Sequence, residues 1–269
     1  LKGKSSELVE IHYHLLSGVD DGPKTEDDSL ALAEASINEG VTHIVATPHA
    51  NDEFHFDPGV NREKLAALND RLGGRVALGL GCDFHLSYDN LEDVRRDHSK
   101  YTINGKQYLL VEFSDAAIPA ATTDILYNLQ LHGLIPIITH PERNPILMHN
   151  PRRLAEWIRG GCLVQLTAAS FAGRFGRRAT AMCHDLIQKN WVHFIASDAH
   201  SIEGRPPALR EAYRTLANDF GKDTAERLCV RNPRAAFYGE QLELQPEPLQ
   251  IYQEAQPARR GFLRGIFGR

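Results

Sequence analysis

Seven short runs of β-branched and apolar residues recur along the chain, each followed by a segment patterned as an amphipathic helix, and this alternation restricts the fold more than any other feature. The runs are VEIHYH, THIVATPH, VALGLGCDF, YLLVEFS, IPIITHP, CLVQLTA and HFIASDAH. Strands separated by helices pair in parallel, because only a crossover brings the chain back to the same edge, and the helices then cover the sheet. Repeated βα units of this kind predict a barrel in one large α/β domain. The first intervening helix shows the local logic: Thr25 is the N-cap, Glu26, Asp27 and Asp28 fill the positive first turn, Leu30, Ala33 and Ile37 form an apolar stripe, and Gly40 ends it. REKLAALNDRLGG, ATTDILYNLQLHG, PRRLAEWIRGG and ATAMCHDLIQKN repeat the pattern and close on glycine or asparagine.

The C-terminal end of nearly every predicted strand carries a possible metal ligand. His12 and His14 end the first, His49 the second, Asp83 the third, Glu112 the fourth, His140 the fifth, and Asp198 and His200 the last. An H-x-H pair on extended chain sends both imidazoles to one side, since side chains alternate with period two. Any one of these residues alone would be an ordinary hydrogen-bonding group, and His43, His85, His132 and His193 are read that way. Recurrence in phase with the strands is different, because strand ends in a parallel barrel converge on the face where active sites lie. Asp21, brought back by the bend after Gly18, adds a further carboxylate. Imidazoles mixed with carboxylates and no thiolate fit Mn, Fe or Zn better than Ca or Mg, and the ligands outnumber the needs of one ion, so two or three are expected.

The remaining composition excludes other classes. A formal charge of −5 provides no basic field for nucleic acid. No apolar run reaches the length of a membrane span, and LKGKSSE is not a secretory signal, so a cytoplasmic protein is expected. Cys82, Cys162, Cys183 and Cys229 are scattered, and none has an arginine six positions on, so the C-x5-R loop of cysteine-dependent phosphatases is missing. From residue 242 the composition shifts to Gln, Glu and Pro, which predicts a catalytic domain over 8–241 and a flexible linker with a basic amphipathic tail, ARRGFLRGIFGR, over 242–269. That tail suits weak contact with an anionic membrane surface.

The motifs IHYHLLSGVDDGPKT, IVATPH, VEFS, THPERN and IASDAHSIEGRPP resemble those of the PHP-domain tyrosine-protein phosphatases of bacterial capsule and exopolysaccharide clusters, the CpsB/CapC family. The resemblance runs from about residue 9 to 241. It implies a PHP-type distorted (β/α)7, TIM-like barrel holding three metals, usually manganese, on His12, His14, Asp21, His49, Asp83, Glu112, His140, Asp198 and His200. It further implies hydrolysis of phosphotyrosine on a bacterial tyrosine autokinase, in control of exopolysaccharide or capsule synthesis. Two positions depart from the pattern: Glu10 stands where the family has aspartate, and Asp83, one methylene shorter, where it has glutamate. Arg143 in HPERN and Arg205 in EGRPP are the expected phosphate clamps, a guanidinium matching two phosphate oxygens at once. Phe54 and Phe56, after His49, are placed to flank a phenyl ring. Two other readings are another PHP-type phosphoesterase, acting on histidinol phosphate or nucleic-acid phosphodiesters, and a docking module without turnover.

Overall fold

The computed structural model describes residues 7–252. Nine strands occur in chain order: β1 (Leu8–Glu10), β2 (Val41–Ala46), β3 (His49–Ala50), β4 (Ala77–Leu80), β5 (Asp83–His85), β6 (Tyr108–Glu112), β7 (Ile135–Thr139), β8 (Leu163–Thr167) and β9 (Phe194–Ala196). They form two sheets, ordered β1-β2-β4 and β3-β5-β6-β7-β8-β9, and every pairing is parallel. The difference from seven strands has a local cause, since the second and third predicted runs each break in two. Pro48 has no N–H to give to a ladder. Gly81 packs so tightly that a Cβ there would stand 3.2 Å from Val45. Hydrogen bonds from Gly81 N to Ala46 O (2.8 Å) and from Asp83 N to Pro48 O (3.1 Å) carry the two broken strands past each other in step.

Helices cover the sheets as the patterning predicts. Thr25 caps α1 (Glu26–Asn38) in a reciprocal box with Asp28, and α2 (Pro58–Leu72) stops at Gly73 in the left-handed region. Further along come α3 (Tyr88–Arg96), α4 (Thr122–Leu131), α5 (Pro145–His149), α6 (Arg152–Arg159), α7 (Ala168–Phe171) and α8 (Gly176–Gln188). One apolar cluster lies between strands and helices. A second joins Val9, Val45, Leu110, Ile137 and Phe194, so side chains from both sheets share one interior. Residues 242–252 form neither helix nor strand. Composition alone suggests a free linker there, yet Trp191 donates to Leu249 O (2.9 Å), Asn190 to Glu247 O (3.0 Å), and Ile251 is buried. The predicted membrane-contacting tail lies outside the described residues. No described helix is long and apolar enough to cross a membrane.

His193 fastens β9 to β8: its Nδ1 accepts from Val164 N (3.1 Å) and its own N–H donates to Val164 O (2.9 Å). Burial, helped by the charge of Arg227, pushes its pKa down to about 3. The folded imidazole is therefore neutral at a pH where the unfolded one binds a proton. Its contribution to stability is complete above the unfolded value near 6.5 and is lost as pH falls from there toward 3, at up to about 1.4 kcal/mol per unit. Urea melts of wild type and His193→Gln at pH 7.5 and 5 should show the wild-type advantage shrinking by about 2 kcal/mol; a constant difference would contradict this.

Candidate metal centre and active site

His12 and His14 follow β1 on extended chain held between two neighbours: Asp198 N donates to His12 O (3.0 Å) and His14 N to Ala199 O (2.9 Å), while Thr47 N donates to Tyr13 O (2.9 Å). Alternation then works as expected. Tyr13 turns toward α1, where its hydroxyl donates to Leu32 O (3.0 Å), and the two imidazoles turn the other way, their centroids 5.5 Å apart. The acidic turn that follows brings Asp20 beneath His14. Asp20 Oδ2 accepts from His14 Nδ1 (2.7 Å) and Oδ1 from Gly22 N (2.9 Å). Only glycine fits at 22, since a Cβ would lie 2.9 Å from His14 O.

All nine candidate ligands meet in one place. Four overlapping groups form: His14, Asp21, His49 and His200; His12, His140 and Asp198; His12, His14 and Asp83; and His49, Asp83 and Glu112. Their facing atoms stand close without being hydrogen-bonded. His12 Nε2 is 3.3 Å from Asp83 Oδ2 and 3.4 Å from Asp198 Oδ1, His49 Nδ1 is 3.3 Å from Asp83 Oδ2, and His200 Nε2 is 3.2 Å from Asp21 Oδ1. His12 Nε2, His14 Nε2, His49 Nδ1 and both oxygens of Asp83 are buried and lack any hydrogen-bond partner. Leaving so many buried polar atoms unsatisfied costs about 1–3 kcal/mol each. Donor atoms about 2.1 Å from a shared ion stand about 3.0–3.4 Å apart, so the spacing and the orphaned lone pairs fit divalent cations. Asp83, despite its shorter side chain, reaches both His12 and His49.

The electrostatics agree with that fit. Burial alone would push the His14 imidazole down, but Asp20 and Asp198 outweigh it and hold its pKa at about 10. A proton thus occupies a place where a metal cation competes. Burial takes His200 down to about 4 and His140 well below its usual value, leaving both neutral. His140 (φ 31°) and Asp198 (φ 52°) both adopt left-handed backbone, a strain of about 1–3 kcal/mol per residue that persists where surroundings over-determine the conformation. Arg143 and Arg205 both converge on Asp198 Oδ2, and Arg205 Nη1 lies 2.9 Å from His200 Nε2. The arginines are thus ion-paired with a candidate ligand in this structure.

A cavity of about 610 Å³ opens over the cluster, lined by His49, Glu112, His140, Arg143, Phe54 and Phe175 among others. Phe54 stacks on His49 with centroids 5.9 Å apart. Phe56 does not flank the cavity: it is buried against Tyr101, on the core side of the same loop. His85 also departs from expectation, since it lines the cavity with Nδ1 3.9 Å from Glu112 Oε2. His43, His132 and His193 make ordinary hydrogen bonds away from the site. All four cysteines are buried, and burial pushes the Cys162 thiol up to about 12.

Three supporting residues were not legible as site residues. Asp20 orients His14, Gln165 Oε1 accepts from His12 Nδ1 (3.0 Å), and Glu142 Oε1 accepts from Thr167 N (2.9 Å) and Ser170 Oγ (2.7 Å), holding the turn after His140 to α7. The bonds to His14 Nδ1 and His12 Nδ1 leave the Nε2 of each ring bare toward the cluster. Glu10 Oε2 accepts from Ser197 N (2.8 Å), tying β1 to the approach of Asp198. Asp20→Asn and Gln165→Leu should each weaken Mn2+ binding by about 10–100-fold, read by calorimetric titration. Unchanged dissociation constants would remove them from this role.

A parallel α/β domain that gathers five histidines and four carboxylates in one place defines a protein with a candidate metal-binding centre. The chain belongs to the CpsB/CapC family of capsular polysaccharide synthesis proteins, whose family model matches residues 8–238. It is 32% identical over 264 residues to tyrosine-protein phosphatase YwqE of Bacillus subtilis, spanning 97% of this chain and all of that one. It is 30% identical over 239 residues to tyrosine-protein phosphatase CpsB of Streptococcus pneumoniae, covering 84% of this chain and 97% of CpsB. Among solved structures it superimposes with a TM-score of 0.84 and 31% identity, over 90% of this chain and 98% of the other, on a crystal structure from work on YwqE and CpsB described as unique metal-dependent tyrosine phosphatases. An Escherichia coli phosphotriesterase homology protein, 11% identical with a TM-score of 0.59, shares the fold over 87% of this chain and 99% of its own.

Proposed function

We propose that the protein is a metal-dependent protein-tyrosine phosphatase that removes phosphate from a bacterial tyrosine autokinase and so regulates exopolysaccharide or capsule synthesis. The observation that carries this is the set of orphaned, converging donors on His12, His14, His49 and Asp83 beside an open cavity lined by Arg143, with Arg205 meeting Arg143 on Asp198. Two or three divalent ions, Mn2+ foremost with Fe or Zn as substitutes, are held by His12, His14, Asp21, His49, Asp83, Glu112, His140, Asp198 and His200. When bound they supply a hydroxide at neutral pH and neutralise phosphate charge.

The chain's own residues do the rest. Arg143 and Arg205 each hold one edge of a guanidinium to Asp198 and retain further N–H donors for phosphate oxygens. Phe54 and Phe175 offer ring faces to a phenyl group, Arg143 lying 4.4 Å over the Phe175 ring. Tyrosinate, with a parent phenol pKa of about 10, leaves without a strong general acid, and no cysteine or serine nucleophile is required. An autokinase that consumes ATP would present its phosphotyrosines to the cytoplasm, and this supports reading the enzyme as cytoplasmic.

The parallel bridge between Tyr13 and Ala199, and the interior shared by β1, β2, β6, β7 and β9, support reading the two sheets as arcs of one distorted (β/α)7 barrel, with the catalytic domain spanning 8–241. The test of substrate class is kcat/KM for a phosphotyrosine peptide, a phosphoserine peptide, histidinol phosphate and a single-stranded oligonucleotide, all with the same Mn2+-loaded enzyme. The phosphotyrosine peptide should lead by at least about tenfold. Preference for histidinol phosphate or the oligonucleotide would overturn the assignment, and no turnover of any would favour a docking module.

A further inference from the structure

A second groove, of about 650 Å³, adjoins the metal-site cavity, and Met148 lines both. It runs between α5 and α8. Pro145, Pro151 and Met182 give it apolar walls, and His149 and Arg178 lie along it. Its charge is unusual for a chain with net charge −5. Residues 143–153 and 171–184, which supply most of its lining, carry Arg143, Arg152, Arg153, Arg174, Arg177 and Arg178 and no Asp or Glu, with Glu142 and Asp185 just outside these spans; Arg178 lines the groove itself and Arg177 adjoins it in sequence. Arg153 is spent on Ile118 O and Pro119 O, and Arg174 donates to Gly204 O. Arg177 and Arg178 are exposed and, among the described residues, pair with no carboxylate. The one acid on the groove, Asp185, is already bonded to Lys189 (2.6 Å). Glu53 and Asp115 line the cavity and not the groove, and Asp115 accepts from Asn144 Nδ2 (3.3 Å) at the start of α5.

We infer that this groove seats an acidic polypeptide segment flanking the phosphotyrosine, its carboxylates meeting Arg177 and Arg178 while its apolar side chains rest on Met148 and Met182. The inference rests on the phosphatase reading and extends it from the phosphate to its sequence context. An extended segment leaving the cavity, rising about 3.3 Å per residue, enters the groove past Met148, which lines both spaces. Guanidinium–carboxylate pairs at an exposed rim contribute modestly one by one, so several in a row are needed for discrimination.

The test uses peptides bearing a non-hydrolysable phosphonate analogue of phosphotyrosine, so that binding is read without turnover. Calorimetric dissociation constants are compared for flanks of glutamate, of glutamine, and of glutamine with a second phosphonate analogue. The full chain should bind the glutamate peptide about tenfold more tightly than the glutamine peptide, and Arg177→Glu/Arg178→Glu should reduce that ratio to about one or below. Equal binding of the two by the wild type, a ratio that survives the double substitution, or tightening by the second phosphonate alone would each overturn the proposal. Failure of the Mn2+-loaded enzyme to hydrolyse any phosphotyrosine peptide, with the binding ratio intact, would instead sink the phosphatase reading and leave the groove standing.

Discussion

Asp198→Ala is expected to lower kcat/KM on a phosphotyrosine peptide by at least about 10³-fold, equivalent to about 4 kcal/mol of transition-state stabilisation. No other side chain sits at so many junctions. Its Oδ1 lies 3.4 Å from both His12 Nε2 and His14 Nε2, and its Oδ2 takes both Arg143 and Arg205. Removing the carboxylate deletes a candidate ligand and frees two guanidinium groups from their anchor at once. A buried charge network broken on one side also destabilises the fold. Asp198→Asn, which keeps the shape and one oxygen, separates the effects: it should lose less stability than Asp198→Ala and still lose at least about a hundredfold in kcat/KM. Cys82→Ser provides the contrast, since that thiol is buried and takes no part in the chemistry. Activity of Asp198→Asn within about threefold of wild type would contradict the role given to Asp198.

What could be read in the sequence was what depends on period and placement. Alternating strand and helix patterns predicted the parallel pairing, and the residues at strand ends predicted which side chains would meet, because the topology itself brings strand ends together. Thr25 and Gly73 announced a helix start and a helix end through local chemistry alone. What could not be read depends on contacts distant in the chain. The bond between His12 and Gln165 spans 153 positions, and nothing local marks a glutamine in QLTA as an orienting group. Asp20 is closer to hand, but which acid of the DDG pair turns under His14 and which faces outward is decided by the Gly22 turn. The fate of Phe56 illustrates the same limit. Two phenylalanines two positions apart after His49 look equivalent by composition, yet one meets the cavity and the other Tyr101. The left-handed backbone at His140 and Asp198 has no sequence signature either, since neither is glycine. Finally, the arginines around the second groove come from two segments that only the packing of α5 and α8 places side by side.

The central claim is that the converging imidazoles and carboxylates work through divalent ions, and chelation should therefore remove activity completely. Without ions, the nitrogen lone pairs of His12, His14 and His49 face the oxygens of Asp83 and Asp198 with nothing to balance the carboxylate charge except protons on the imidazoles. Ligands must shed those protons to bind metal, so reloading should weaken as pH falls. Bound ions also stabilise the fold by mass action, and the metal-free protein should melt several degrees lower. The measurement is phosphotyrosine-peptide hydrolysis by protein shown to be metal-free by elemental analysis, repeated as Mn2+ is titrated back and bound metal is counted. The account predicts no turnover above background without metal, and recovery that follows the binding of two to three ions per chain. Turnover at the wild-type rate by protein holding less than about a tenth of an ion per chain would contradict it.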